Sequence, residues 1–325
     1  MTANLSLYPL KFEPILKEKV WGGDKLQTLF NKNGGDNIGE SWELSGVSGD
    51  VSVISNGSFS GNSLSWLLEE FKEKLVGERI YSKFGNTFPL LFKFIDARET
   101  LSVQVHPDDR LAKERHNSFG KTEMWYIMEA EKEASLILGF KEKITPEEYS
   151  RLLSEKKLHT VLNHTLVQRG DAFILTPGTV HAIGAGIVLA EIQQTSDITY
   201  RIYDWDRPDK NGELRELHTE EALSAINFES QSPRIEYEEK MNVPVQIGKT
   251  NYFAVQKLSL SKPIEKKLDF SDSFKVYMCV EGKLTLVSEG VEVPMETGET
   301  VLIPATLENV KFNTHSATLL EVYIP

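Results

Sequence analysis

The chain has 325 residues, 40% of them hydrophobic, and 36 basic against 48 acidic side chains give a net charge of −12. That length suffices for two cores, and the charge argues against nucleic acid or an anionic membrane surface as partner, so an anionic ligand needs a local basic pocket. One cysteine, Cys279, excludes an internal disulfide framework and any zinc site built from several cysteines, as expected of a reducing, cytoplasmic setting. No signal-peptide pattern opens the chain, and no apolar run approaches the roughly 20 residues of a membrane span.

In chain order, helical periodicity predicts helices at residues 63–81, 145–163 and, briefly, 219–227. Ser63, Thr145 and Thr219 stand where N-caps are expected, Thr145 with Glu148 three positions on. Most other segments read as short strands: "PLLFKFIDA", "TLSVQVHP", "MWYIMEA", "ASLILGF", "DAFILTP" and "GIVLAEIQQ", then "YFAVQKLSLS", "KVYMCVEG", "KLTLVSE" and "TVLIPA". Turn residues between them predict a mainly β fold of barrels or sandwiches rather than alternating βα units. A Gly-rich phosphate loop of the P-loop or dinucleotide type is absent from the sequence.

An internal repeat organises these strands. "GDAFILTPGTVH" (170–181) lies over "GETVLIPATLEN" (298–309), and "EMWYIMEAE" (123–131) over "KVYMCVEGK" (275–283). The first copy is longer by about the helical segment 141–164. The expectation is therefore one β-barrel unit used twice, with a helical insertion in the first, divided as residues 1–235 and 236–325. Glu123 and His181 become Lys275 and Asn309 in the second copy, so that copy is expected to bind no metal.

Gln104, His106, Glu123 and His181 carry metal-binding side chains in the first copy. Two imidazoles, a carboxylate and an amide oxygen suit Zn²⁺ and tolerate Fe²⁺, Mn²⁺ or Co²⁺. His116, His159, His164, His218 and His315 stand in charged or loop-like contexts and are set aside.

"SVQVHP", a downstream Glu and "G-x5-T-P-G-T-V-H" resemble the two motifs of the cupins, with Gln104 where a first histidine is usual and Thr176 where proline is usual. A narrower resemblance is to class I mannose-6-phosphate isomerases of the short bacterial type. It is carried by "VWGGDKL" (20–26), "IGESWELS" (38–45), "FPLLFKFIDARETLSVQVHPDD" (88–109), "GKTEMWY" (120–126), "GTVHAIGAG" (178–186) and "EIQQTSDITYRIYDWDR" (191–207).

That resemblance implies two cupin-like jelly-roll barrels, one zinc ion per chain on Gln104, His106, Glu123 and His181, and a sugar phosphate substrate. It matches Arg201 to the family's active-site arginine and Lys93 and Lys121 to pocket lysines. Glu191 and Asp197 correspond to pocket acids and rank ahead of Lys121 as proton carriers, while Ser102 is placed to donate to the phosphate. Trp42 and Trp125 read as core aromatics, with "GESWE" bracing the pocket wall, and Arg201 could instead pair with Asp197. An iron-dependent cupin oxygenase and a non-catalytic sugar-binding or regulatory cupin are the alternatives, and the choice between monomer and homodimer stays open.

Overall fold

A computed structural model describes residues 6–209, 211–268 and 272–325. The chain runs through β1 (Ile15–Gly23), α1 (Lys25–Phe30), β2 (Ile38–Leu44), the small hairpin β3 (Gly46–Val47) and β4 (Asp50–Val51), and helices α2 (Leu64–Phe71), α3 (Glu73–Val76) and α4 (Glu78–Phe84). It continues with β5 (Leu90–Ala97), β6 (Val103–Val105), α5 (Asp109–His116), β7 (Glu123–Ala130), β8 (Ser135–Phe140), α6 (Pro146–Ser154), β9 (Leu162–Leu166) and β10 (Ala172–Leu175). Then come β11 (His181–Ile183), β12 (Ile187–Gln194), β13 (Tyr200–Tyr203), α7 (Thr219–Ala225) and β14 (Arg234–Ile235). The last part holds β15 (Val245–Lys249), β16 (Ala254–Leu260), β17 (Ile264–Lys267), β18 (Lys275–Ser288), β19 (Val291–Glu296), β20 (Thr300–Ile303), β21 (Asn309–Asn313) and β22 (Ala317–Tyr323).

The mainly β expectation holds. In the first half, an antiparallel sheet of order β1-β2-β5-β12-β7-β10-β14 accompanies a second of order β13-β6-β11-β8-β9. Strands β1 and β13 therefore stand at sheet edges, while β6, β7 and β11 lie inside. The last part forms one curled sheet, β15-β16-β22-β18-β21-β17, with β19 and β20 also on β18. "KVYMCVEG" and "KLTLVSE" prove to be a single strand, β18, irregular in register between Cys279 and Glu281. A strand bent at a bulge can serve two sheets in turn, so no chain break is needed there.

Strand register bears out the repeat. Glu123 lies across from Leu175 and Tyr126 from Ala172 in the first copy; Lys275 lies across from Ile303 and Met278 from Thr300 in the second. These are the residues that the sequence alignment superposes. The predicted insertion is α6 and the 3-10 turn Leu158–Thr160, between β8 and β9.

Helix boundaries differ from the periodicity in identifiable ways. Residues 63–81 form three short helices rather than one, because Lys72 and Gly77 take positive φ of 48° and 100°. Gly77 also packs so tightly on Asp272 that an added Cβ would fall 2.1 Å from its carbonyl oxygen, so only glycine fits this break. The helix predicted at 145–163 ends at Ser154, and Leu162 already belongs to β9. Ser63 and Thr145 accept from the backbone amides of Trp66 and Glu148 as caps do. Thr219 does not cap: it is the first helical residue, and His218 holds the cap position without a side-chain bond.

Phe88, Met124, Ala172 and Ile192 of the first half share one apolar core with Phe253, Val276, Leu302 and Val322 of the last part. Burial of that common core makes the two barrels one packed body. Among the described residues no helix is long and apolar enough to cross a membrane.

Candidate metal centre and cavity

His106 follows β6, Glu123 opens β7 and His181 opens β11, so three interior strands deliver their side chains to one point. The ligand-type atoms of these three residues lie within 4.8 Å of one another. His106 Nδ1 bonds the Ile198 carbonyl and His181 Nδ1 the Thr179 carbonyl, each at 2.8 Å. With Nδ1 donating to a carbonyl, each ring turns an Nε2 lone pair inward. Glu123 meets them there, Oε2 at 3.6 Å from His106 Nε2 and Oε1 at 3.4 Å from His181 Nε2.

All three residues are almost fully buried. Glu123 Oε1 and His181 Nε2 lack a hydrogen-bond partner and Glu123 Oε2 faces only the Lys121 ammonium at 3.1 Å, an arrangement that folded proteins rarely tolerate without a ligand. Burial pushes the His181 imidazole down to about 4 and His106 well below its usual range, so both are neutral near pH 7, as metal ligands must be. Burial also raises Glu123 to about 7, against the pull of Lys121. The donor set and its orphaned atoms fit a divalent cation.

Beside the triad opens a cavity of about 450 Å³. Its walls include Lys93, Ser102, Gln104, Lys121, Glu191, Asp197 and Arg201, every other residue that the sequence nominated. Gln104 stands in register between His181 on β11 and Arg201 on β13. Lys121 lies just before β7 rather than within it, with Nζ 3.1 Å from both His106 Nε2 and Glu123 Oε2. Ser102 is buried one residue before β6, and Asp197 is exposed.

Lys93 and Glu191 are cross-strand partners on β5 and β12, paired at 2.7 Å. Lys93 also donates to Gln193 Oε1 at 2.8 Å, and Glu191 accepts from Trp125 Nε1 at 2.9 Å. Burial alone would raise Glu191, but Lys93 and Lys121 outweigh it and hold the carboxyl down to about 2. Burial likewise works against the Lys93 ammonium, yet Glu191 and Glu40 keep its pKa above the usual lysine value. The pair is thus ionised. Arg201 Nη1 donates to the Glu216 carbonyl at 2.8 Å, and its buried Nε has no partner; among the described residues no ion pair joins it to Asp197.

Sequence reasoning missed Lys17, Lys19, Asp50 and Arg215 in this cavity, whereas "GESWE" does brace its wall, through Glu40 and Trp42. Trp42 is buried, but it lines the wall, donating from Nε1 to Glu40 at 2.7 Å with the Lys17 and Lys93 ammonium groups 4.9 and 5.2 Å from its ring. Lys17 and Lys19 alternate on an edge strand and so share a face, a signal available in "LKEKV". Arg215 comes from an irregular segment and is held by Asp204. Trp125 is a core aromatic as expected, with its ring edge also set on His181 at 5.4 Å. The lining carries six cations against four anions, the local positive excess that an acidic chain needs for an anionic ligand.

Residues 10–139 match the family model for the phosphomannose isomerase type I catalytic domain, and residues 246–324 that for the mannose-6-phosphate isomerase cupin domain. The chain is 35% identical to mannose-6-phosphate isomerase ManA of Bacillus subtilis over 96% of its own length and 98% of that protein's. The chain belongs to the type I mannose-6-phosphate isomerase family. A Streptococcus mutans mannose-6-phosphate isomerase is 32% identical over 94% of this chain and 95% of that protein. The crystal structure of a mannose 6-phosphate isomerase from Bacillus subtilis superposes with a TM-score of 0.88 at 30% identity, covering 97% of this chain and 99% of that one. A variant phosphomannose isomerase from Salmonella typhimurium, 18% identical, shares the fold with a TM-score of 0.79 over 97% and 99% of the two chains. Family membership and the buried His-Glu-His cluster together make this a metal-dependent isomerase family site.

Proposed function

We propose that this chain interconverts D-mannose 6-phosphate and D-fructose 6-phosphate through a cis-enediol, using one Zn²⁺ held by Gln104, His106, Glu123 and His181. The observation that carries this reading is the convergence of two neutral imidazoles and a buried carboxyl, with Glu123 Oε1 and His181 Nε2 unpartnered, beside a cation-rich cavity of sugar-phosphate size. A bound divalent cation would supply Lewis acidity toward the sugar carbonyl and its developing enediolate.

The remaining work falls to side chains. Moving a proton between C1 and C2 needs a group within reach of both carbons and positive groups that hold the anion still. Arg201, with its guanidinium in the wall beside Gln104, stabilises the negative charge that develops on the substrate oxygens. Lys93 and Ser102 hold the phosphate. Glu191, held down to about 2, is too weak a base to carry the proton at neutral pH and serves as the fixed anion that keeps Lys93 charged. The carrier is then Lys121 Nζ, which lines the cavity beside the triad, 3.1 Å from both His106 Nε2 and Glu123 Oε2. Asp197, exposed in the wall, assists at the substrate hydroxyls. Residues 1–235 form the catalytic unit on this reading, and residues 236–325 support it.

A coupled assay of mannose 6-phosphate conversion tests the proposal. Turnover should disappear on chelation and return with Zn²⁺; activity that survives complete metal removal would contradict it, and oxygen consumption without isomerisation would favour the oxygenase.

A further inference from the structure

A second cavity, of about 390 Å³, shares no lining residue with the first. It lies where the catalytic half meets the C-terminal barrel, walled by Phe84 and Phe119 from one side and Tyr252 and Ile324 from the other. Its volume and aromatic lining are those of a small-molecule pocket, and such pockets favour the junctions between domains. At its edge stand Lys83 and Lys113, both exposed, and neither takes part in an ion pair among the described residues. The one acid in the lining, Asp109, is already satisfied: its Oδ2 accepts from Tyr252 Oη at 2.6 Å, and its Oδ1 from Gln194 Nε2 at 3.0 Å and the Gly120 amide at 2.9 Å. Lys113 Nζ donates to Asn117 Oδ1 and Lys83 Nζ stands 5.0 Å from the Phe84 ring, so neither is in salt-bridge contact with a carboxylate; an apolar wall with two such ammonium groups suits a small amphipathic anion, a ring or short apolar body bearing one carboxylate or sulfonate.

Asp109 also connects this pocket to the catalytic machinery. It lies three residues after His106, and Gly120, which it holds, precedes Lys121. Gln194 Oε1, on the other side, accepts the amide of Thr122 at 2.9 Å, next to Glu123. Gly120 is pressed so close to Asp109 that a Cβ there would fall 2.5 Å from the Asp109 amide nitrogen. The wall of the second cavity is therefore the segment that aims Lys121, and that segment has no slack.

We propose that this pocket binds a small amphipathic anion and that its occupancy lowers turnover by shifting Gly120 and Lys121. The binding half stands on the cavity alone, whereas the coupling half rests on the isomerase reading. The probe is anilinonaphthalenesulfonate, followed by its fluorescence on the full-length, zinc-loaded protein. One probe should bind per chain without displacement by mannose 6-phosphate, and a saturating amount should reduce kcat about fivefold or more, within the usual range of coupling between sites, with little change in KM. The double variant Lys83→Glu, Lys113→Glu should weaken probe binding by about tenfold and keep its kcat in the absence of probe. Competition by the sugar phosphate, or binding indifferent to the charge reversal, would overturn the site. Binding at this pocket with unchanged kcat would overturn the coupling, and a protein that binds the probe but never isomerises would sink the isomerase reading while leaving the pocket standing.

Discussion

Glu123 and Lys275 occupy the same place in the two barrels, the first across from Leu175 and the second across from Ile303. Glu191 and Glu321 are likewise equivalent, lying across from Trp125 and Tyr277. In the C-terminal barrel the Lys275 ammonium is 3.9 Å from Glu321, which also accepts from Tyr277 Oη at 2.8 Å and pairs with Lys266. A lysine in the place of a carboxylate ligand supplies internally the positive charge that a metal would bring. Elemental analysis of zinc-loaded, dialysed protein should therefore find one equivalent per chain; two would refute the degeneracy of the second barrel.

Replacing Glu123 with Gln should lower metal affinity by at least about 100-fold, more than the loss of an outer partner of a ligand does. The variant also isolates a pH effect on the metal-free protein. Glu123 has a folded pKa of about 7, above its ordinary value of 4.5, so its contribution to stability is present below pH 4.5 and is lost as pH rises through 7. Urea midpoints of metal-free wild type should therefore fall relative to Glu123→Gln between pH 4.5 and 8. A constant difference between the two across that range would contradict the raised pKa.

In the proposed ligand set Gln104, in register between His181 and Arg201, would contribute an uncharged oxygen. Gln104→Glu should hold the cation more tightly against a chelator, because it adds a full negative charge to the donor set. It should also reduce kcat, because the same charge weakens the cation's Lewis acidity and pairs with Arg201. Faster isomerisation by this variant would refute the role assigned to the amide.

How far the site could be read from sequence depended on where its residues sit. Gln104, Glu123 and His181 lie in strands, and His106 directly after one, whose alternation and repeat are visible one residue at a time, and Glu123 and His181 are lost together in the second copy. Lys17, Lys19, Asp50 and Arg215 reach the same cavity from sheet edges, a hairpin and an irregular segment, so only tertiary closure puts them near the triad. Trp42 is both core and wall, a distinction that no local pattern carries. The broken helix at 63–81 had one legible signal, Gly77, and one illegible, Lys72, whose positive φ ordinary lysines avoid.

Arg201→Lys keeps a positive charge but loses the planar fork. The guanidinium is held by the Glu216 carbonyl, and its backbone amide donates to His218 Nδ1 at 3.1 Å, so its position is set before substrate arrives. If it stabilises developing charge, kcat/KM should fall by about 10²–10³ in Arg201→Ala, the range for loss of one such donor, and by less in Arg201→Lys. The metal content should stay at wild-type level in both, which separates a substrate role from damage to the metal site.

The Lys93–Glu191 pair sets a last test, on stability. Both groups are buried, so Lys93→Met takes from Glu191 its ion-pair partner, leaving the Trp125 bond and the Lys121 charge, and should cost up to about 3–5 kcal/mol, whereas Lys93→Met with Glu191→Met removes both charges and should recover much of that loss. Acid should act in the same sense. Glu191 has a folded pKa of about 2, below its ordinary 4.5, so its stabilisation is present above pH 4.5 and is lost as pH falls toward 2. Wild type should thus lose more stability than the double variant on going from pH 5 to pH 3, as read from urea midpoints of metal-free protein. Parallel curves would mean that Glu191 is not held as a carboxylate by Lys93.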